Sequence, residues 1–284
     1  MDELRAACAA VAARSKHVAV VGRVIAPYAS SLFEVLAPEE PEPALGGPRA
    51  ADQAAFWLTL DAINFGSGWF PTLRKSPGCS GYATIAGGVR ARMAELGPWS
   101  ARELATISTE ELAAVLQQDP QHPLLELFAL SLRALGDYLL AEHGGSFLTL
   151  ATSTGGSAVA LARRLGALSC FADTSHYDGI EVSFFKRAQI AAADLARAGV
   201  IDAPDLGGLT MFADNLVPHV LRLDGVLRFD PVLVARIEAE ELIEHGSPEE
   251  VEIRACALHA VELIVAERPG SCAALVDQLL WRRG

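Results

Sequence analysis

Between Asp205 and Asp224 the chain carries a single acid, Asp214, in the run Leu209-Thr210-Met211-Phe212-Ala213-Asp214-Asn215-Leu216-Val217-Pro218-His219-Val220-Leu221. A carboxylate among so many apolar neighbours is partly buried, and it must then be paired, protonated or functional. The structural alternative is an aspartate that caps a helix entering Pro218. A second group is Lys186-Arg187, at the end of Asp173-Thr-Ser-His-Tyr177-Asp-Gly179-Ile-Glu-Val-Ser-Phe-Phe. Cations at a helix start oppose the macrodipole, so they call for an anion: a side-chain carboxylate or a ligand phosphate. A solvated pair of charges is the plainer reading. A third is Asp61-Ala-Ile-Asn64-Phe65-Gly-Ser-Gly68-Trp69-Phe70. Aromatics beside an asparagine suit a planar heterocycle, stacked on its faces and hydrogen-bonded at its edge. A helix C-terminus with core aromatics and a glycine cap accounts for the same residues. The fourth is Asp277 with Trp281, four apart and therefore on one helix face. Here a carboxylate could accept from an amidine edge while the indole stacks. A terminal helix packing its tryptophan in the core is the alternative.

These groups need elements to hold them, and the pattern is helical. Residues 1–14, 50–65, 123–142, 155–165, 186–198 and 271–282 repeat their apolar positions at helical spacing. Capping boxes at Ser100/Glu103, Ser108/Glu111 and Ser247/Glu250 open three more helices, the last running to Glu267. Asp230-Pro231 opens another. Strand signals are confined to His17–Val24 and Gly179–Phe185, without the strand–helix alternation of a doubly wound sheet. Ala37–Pro48, rich in Pro, Gly and Glu, reads as a loop and the best linker candidate, but the residues before it are too few for a domain. The expectation is one all-α domain over 1–284, of about ten helices, with a minor β component.

Composition restricts the partners. Lys plus Arg number 23 against 35 Asp plus Glu, a net charge of −12. Such a surface disfavours intact nucleic acid, whose binding draws on many phosphate contacts, but it does not exclude a ligand with one phosphate. No apolar run approaches the roughly 18 residues of a membrane span, and the N-terminus lacks the layout of a signal peptide. Five dispersed cysteines without a CxxC suit buried reduced thiols in a cytoplasmic protein. The seven histidines show no metal-ligand spacing, and no phosphate-loop, dinucleotide or nucleophile-elbow motif is present. Neither a metal nor a cofactor is called for.

Taken together the segments resemble the queuosine salvage protein family, the queuosine 5'-phosphate N-glycosylase/hydrolases. The resemblance rests on VSFFKRAQI (Val182–Ile190), LTMFADNLVPHVL (Leu209–Leu221), EEVEIRACALHAVELI (Glu249–Ile264) and GGSFL (Gly144–Leu148). RAADQAA…DAINF (Arg49–Phe65), CSGY (Cys79–Tyr82) and VDQLLW (Val276–Trp281) extend it, in order, along nearly the whole chain. It implies a helical fold related in architecture to DNA glycosylases. It also implies hydrolysis of the N-glycosidic bond of queuosine 5'-monophosphate, releasing the 7-deazaguanine base queuine for salvage into tRNA modification. The aspartate of the family's FAD motif, taken as catalytic, falls on Asp214, and the lysine of KRAQ falls on Lys186. Where the family commonly has Tyr and Arg after that aspartate and Gln after the proline, this chain has Asn215, Leu216 and His219.

Under that resemblance, Phe65, Phe212 and Trp281 are candidates to sandwich the base, Asn64 and Asp277 to read its edge, and Phe33 to close the pocket. Val220 and Leu221 complete the substrate-binding set. A glycosylase or binding module acting on intact nucleic acid is the competing function. Oligomeric state is open.

Overall fold

The structure, a computed structural model, describes residues 1–35 and 50–284, apart from the side chains of residues 33–35. The linker expected over Ala37–Pro48 lies outside the described residues, and so does the side chain of Phe33. The first half of the chain runs α1 (Asp2–Ala12), β1 (Val18–Val20), α2 (Ile25–Val35), α3 (Ala50–Ala62), α4 (Gly81–Leu96), α5 (Ala101–Thr106), α6 (Thr109–Leu116) and α7 (Pro123–His143). Then come α8 (Phe147–Thr152), α9 (Ala158–Gly166), β2 (Thr174–Tyr177), β3 (Ile180–Ser183) and α10 (Lys186–Arg197). The chain ends with α11 (Leu216–Leu223), β4 (Leu227–Phe229), α12 (Pro231–Glu238), α13 (Pro248–Ala266) and α14 (Ala273–Trp281). The protein is therefore mainly α-helical, with two small antiparallel pairs, β1–β4 and β2–β3. Among the described residues there are fourteen α-helices rather than about ten, several of them only two turns long.

The helix starts follow from local chemistry. Ser100 and Ser108 each form a full capping box with Glu103 and Glu111. Asp230 accepts from Val232 N–H at 2.8 Å, with Pro231 in the first turn. At α13 the expected box is only half made. Ser247 accepts from Glu250 N–H, but the Glu250 carboxylate reaches back to Gly246 N–H and forward to Arg254. The β2–β3 hairpin turns on Asp178 and Gly179, with φ of 45° and 78°. Two successive positive φ values make the tight turn whose twist matches its strands, and an Asp-Gly pair is its usual sequence.

By packing, the chain divides into two compact units, each built from separated stretches. One unit comprises Met1–Glu40, Asp173–Lys186 and Asp205–Gly284. Its centre is α13, which α1, α2, α11 and α14 contact together with β1, β2 and β4. Val251, Ala255, Leu258 and Val261 are fully buried, but so is Glu252. A buried carboxylate must be hydrogen-bonded, and Glu252 accepts backbone N–H groups from Lys16, His17 and Val18 and the hydroxyl of Tyr177. One helical side chain thus ties β1 and β2 to the central helix.

The other unit comprises Pro41–Ala172 and Arg187–Pro204. Its axis is α7, whose Leu125, Phe128, Leu132, Leu135 and Leu139 recur at three- and four-residue spacing and are fully buried. Helix α5 approaches α7 at Gly136, where an added Cβ would collide with the backbone of Ala101 and Ala105. Gly136→Ala should therefore destabilise the protein by roughly 1–3 kcal/mol through overpacking, despite the better helix propensity of alanine. Thermal unfolding of the purified variant checks this as a lowered Tm. Three of the five cysteines, Cys8, Cys170 and Cys256, are the buried thiols expected, whereas Cys79 is exposed and Cys272 half-buried. No helix among the described residues is long and apolar enough to cross a membrane.

Candidate active site

Asp214 lies at the end of an irregular segment, 209–215, between a single 3₁₀ turn (Leu206–Gly208) and α11. Without a helix or strand to satisfy its backbone, this segment is held by charged side chains. Arg5 of α1 donates to the carbonyls of Gly208 and Leu209, at 3.1 and 3.2 Å, and also pairs with Glu262 of α13. Asp277 of α14 accepts Phe212 N–H on Oδ1 at 2.9 Å. Arg254 of α13 donates through Nε to the carbonyl of Ala213 at 2.8 Å. The residues on either side of the loop tip are therefore fixed from three helices.

The capping alternative for Asp214 is realised, and it leaves room for chemistry. Oδ1 accepts from Leu216 N–H at 3.0 Å and Val217 N–H at 3.2 Å, at the positive end of α11. Both bonds use one oxygen, and among the described residues Oδ2 takes none. The side chain keeps partial exposure, yet desolvation is the largest influence on its ionisation. Partial exposure combined with strong desolvation describes a recessed group rather than one standing on the surface.

The charges around it oppose one another. Burial pushes the Asp214 carboxyl above the ordinary carboxylate range, while Lys186, the two N–H bonds and Arg254 pull it back. Asp277 is pushed well above its usual value, by burial first and then by the negative charge of Asp214. Phe212 N–H and Lys186 oppose that rise. Two neighbouring carboxylates with one lysine between their fields titrate as a pair. Asp277 accepts a single N–H and is almost fully buried, while Asp214 has two N–H bonds and a second cation acting on it. Burial and like charge therefore push Asp277 harder toward its neutral form than Asp214.

Lys186 begins α10, directly after Phe185, whose φ of 54° is rare for a bulky side chain. Asp173 caps this helix start, its Oδ2 accepting the backbone N–H of Lys186 at 3.0 Å. The same oxygen takes Arg254 at 2.6 Å. The Arg254 guanidinium also lies 3.9 Å above the Phe184 ring and bonds Glu250 at 2.9 Å. Asp173, Arg254 and Glu250 were not among the residues expected from the sequence to serve the site. The available signal was an arginine in the middle of an otherwise buried helix, since such a charge needs partners.

The chain matches the family described as "Queuosine salvage protein" over residues 47–284. It belongs to that family. A queuosine 5'-phosphate N-glycosylase/hydrolase of Sphaerobacter thermophilus is 38% identical over 246 residues, covering 81% of this chain and 76% of its own length. Proteins of the same name from Mus musculus and Bos taurus are 32% and 33% identical over 236 and 234 residues, covering 76% of this chain and 69% and 68% of their own lengths.

In this member of the queuosine salvage family, Asp214, Lys186, Asp277 and Phe212 come together in the unit centred on α13. Phe212 is half-buried, beside the bond from its own N–H to Asp277. Trp281 is 46% exposed, one turn beyond Asp277 on α14, and is not packed into the core. Val220 and Leu221 are buried on α11, Leu221 with no accessible surface at all.

Asn64 and Phe65 belong to the other unit, in the turn that ends α3. Phe65 meets Phe128 edge-on at 5.0 Å, and the Arg187 guanidinium lies 4.6 Å above its ring. Arg187 also donates to the carbonyls of Ala62, Cys170 and Ala172, so it is a clamp on the end of α3 rather than a solvated charge. Gly66, at φ 84°, is not the expected cap of α3, which ends four residues earlier at Ala62, but opens the 3₁₀ turn Ser67–Thr72.

Proposed function

We propose that this chain, acting as a single domain in the cytoplasm, hydrolyses the N-glycosidic bond of queuosine 5'-monophosphate and releases queuine. The observation that carries the site assignment is Asp214: a recessed carboxylate with one oxygen held by two N–H groups and the charge of Lys186 acting on it. Breaking a nucleoside C–N bond passes through an oxocarbenium-like state with positive charge on the ribose. A fixed, ionised carboxylate at that position stabilises the developing charge without reorganising. A 7-deazapurine lacks N7, so protonation of that nitrogen cannot assist departure. More of the barrier then falls to charge stabilisation at the sugar, and Asp214 supplies it through the oxygen that the capping bonds leave open.

The remaining roles are part of the same proposal. Lys186 keeps Asp214 ionised. Phe212 and Trp281 stack on the base, Asp277 reads its edge, and Val220 and Leu221 back the site. A glycosylase acting on intact nucleic acid is not favoured, because the net charge of −12 repels a long polyanion.

The test is incubation of the purified protein with queuosine 5'-monophosphate and, separately, with the unphosphorylated nucleoside, with mass detection of free queuine. Base release from the nucleotide is expected, with a lower kcat/KM for the nucleoside because binding energy at the phosphate is lost. Failure to release queuine from either substrate sinks the proposal.

A further inference from the structure

The Asp173–Arg254 pair lies at the junction of the two segments that carry the proposed reacting charges. Asp173 Oδ2 accepts the backbone N–H of Lys186 and, at 2.6 Å, the guanidinium of Arg254. Arg254 Nε in turn donates to the carbonyl of Ala213, the residue before Asp214. A continuous chain of hydrogen bonds therefore runs from the start of α10 to the peptide that bears Asp214. Its centre is rigid: Arg254 has its guanidinium over the buried Phe184 ring and a further bond to Glu250, and the side chains of Asp173 and Arg254 are each only 10% exposed. Phe184, two residues before Lys186, also donates its N–H to the Asp173 carbonyl.

We infer that Arg254, braced by Asp173, is a positioning residue for the reaction, setting Asp214 and Lys186 in register and adding positive charge behind the Asp214 carboxylate. A guanidinium suits this task because its rigid fork reaches the Ala213 carbonyl, Asp173 and Glu250 at once, which a lysine ammonium on a flexible stem cannot do. The charged groups acting on Asp214 are then Lys186 from α10, Arg254 from α13 and Asp277 from α14. This rests on the reading of Asp214 as the catalytic carboxylate.

The experiment uses the full chain with queuosine 5'-monophosphate and compares Arg254→Gln, Arg254→Lys, Asp173→Asn and Asp214→Asn for Tm, kcat, KM and the pH profile. Arg254→Gln should lower kcat by about 10²-fold, the scale of a small misplacement of a reacting group, with KM changing much less. Its acid limb should move to higher pH, because one cation that favours ionised Asp214 has gone. Arg254→Lys, folded and still charged, should keep the acid limb in place while kcat falls about tenfold, the smaller end of the positioning effect. Asp173→Asn should lower kcat in the same direction.

A folded Arg254→Gln protein with wild-type kcat, or one whose kcat falls while the acid limb stays still, overturns the inference. Should that variant not fold, a wild-type kcat in Arg254→Lys overturns it equally. The Asp214→Asn arm separates the two claims. Undiminished base release there refutes the reading of Asp214 itself, whereas an inactive Asp214→Asn beside a fully active Arg254→Gln refutes only the role of Arg254.

Discussion

Asp214→Asn is expected to lower kcat for queuine release by about 10²–10³-fold, equivalent to roughly 2.7–4 kcal/mol of transition-state stabilisation. The amide keeps the oxygen that caps α11 through Leu216 and Val217, so the fold and Tm should change little. What the variant loses is the negative charge. Asp277→Asn makes the informative contrast. Burial and the charge of Asp214 push Asp277 toward its neutral form, which asparagine resembles while still accepting Phe212 N–H. Its kcat should therefore fall far less than that of Asp214→Asn. The pH dependence has a definite sign. In the proposed mechanism the active form is ionised Asp214, and burial raises its pKa above the ordinary value of about 3.9. Activity is then lost as pH falls through that raised pKa, and the acid limb of kcat lies above the usual aspartate range. A pH profile of single-turnover base release checks this. An Asp214→Asn protein as fast as wild type would remove the carboxylate from the mechanism.

Lys186→Met is the second large effect. The lysine charge favours the ionised form of Asp214 and opposes the rise at Asp277. Without it, two buried carboxylates face each other with Arg254 as the remaining cation acting on Asp214, and that acid takes up a proton at higher pH. An opposite charge at close range moves a carboxylate by about 1–3 pH units, so the acid limb should shift upward by that order. At neutral pH the loss in kcat should reach about 10–10³-fold, with partial recovery at alkaline pH as Asp214 ionises again. Recovery is the decisive readout. A lysine that contacted only the substrate phosphate would raise KM and leave the acid limb of kcat unmoved. Lys186→Arg keeps the charge but not the compact ammonium, so the limb should stay near its wild-type position while kcat falls.

The helical class and most of the helix starts are readable from the residues alone, because capping and periodicity are local. Ser100, Ser108 and Asp230 satisfy N–H groups within three residues of themselves, and the α7 leucines repeat within one helix. Asp214 and Lys186 stand out as candidates from the residues alone, one as an isolated acid among apolar neighbours and the other as a cation at a helix start. The elements β2, β4, α2, α4 and α8 were not expected. The strands β1 and β4 pair residues some two hundred positions apart, as Val18 does with Phe229. No local pattern encodes such a partner.

The bonds around the candidate site join residues far apart in the chain. Arg254 reaches Ala213 across 41 residues and Asp173 across 81, and Asp277 reaches Phe212 across 65. The same holds for the ionisation of the pair. Composition places Asp214 and Asp277 in apolar segments, but which of them keeps the proton depends on how many N–H groups and cations each meets after folding. Charge–charge energies and desolvation are set by distance and burial in space, and the order of residues along a chain fixes neither until the helices have packed.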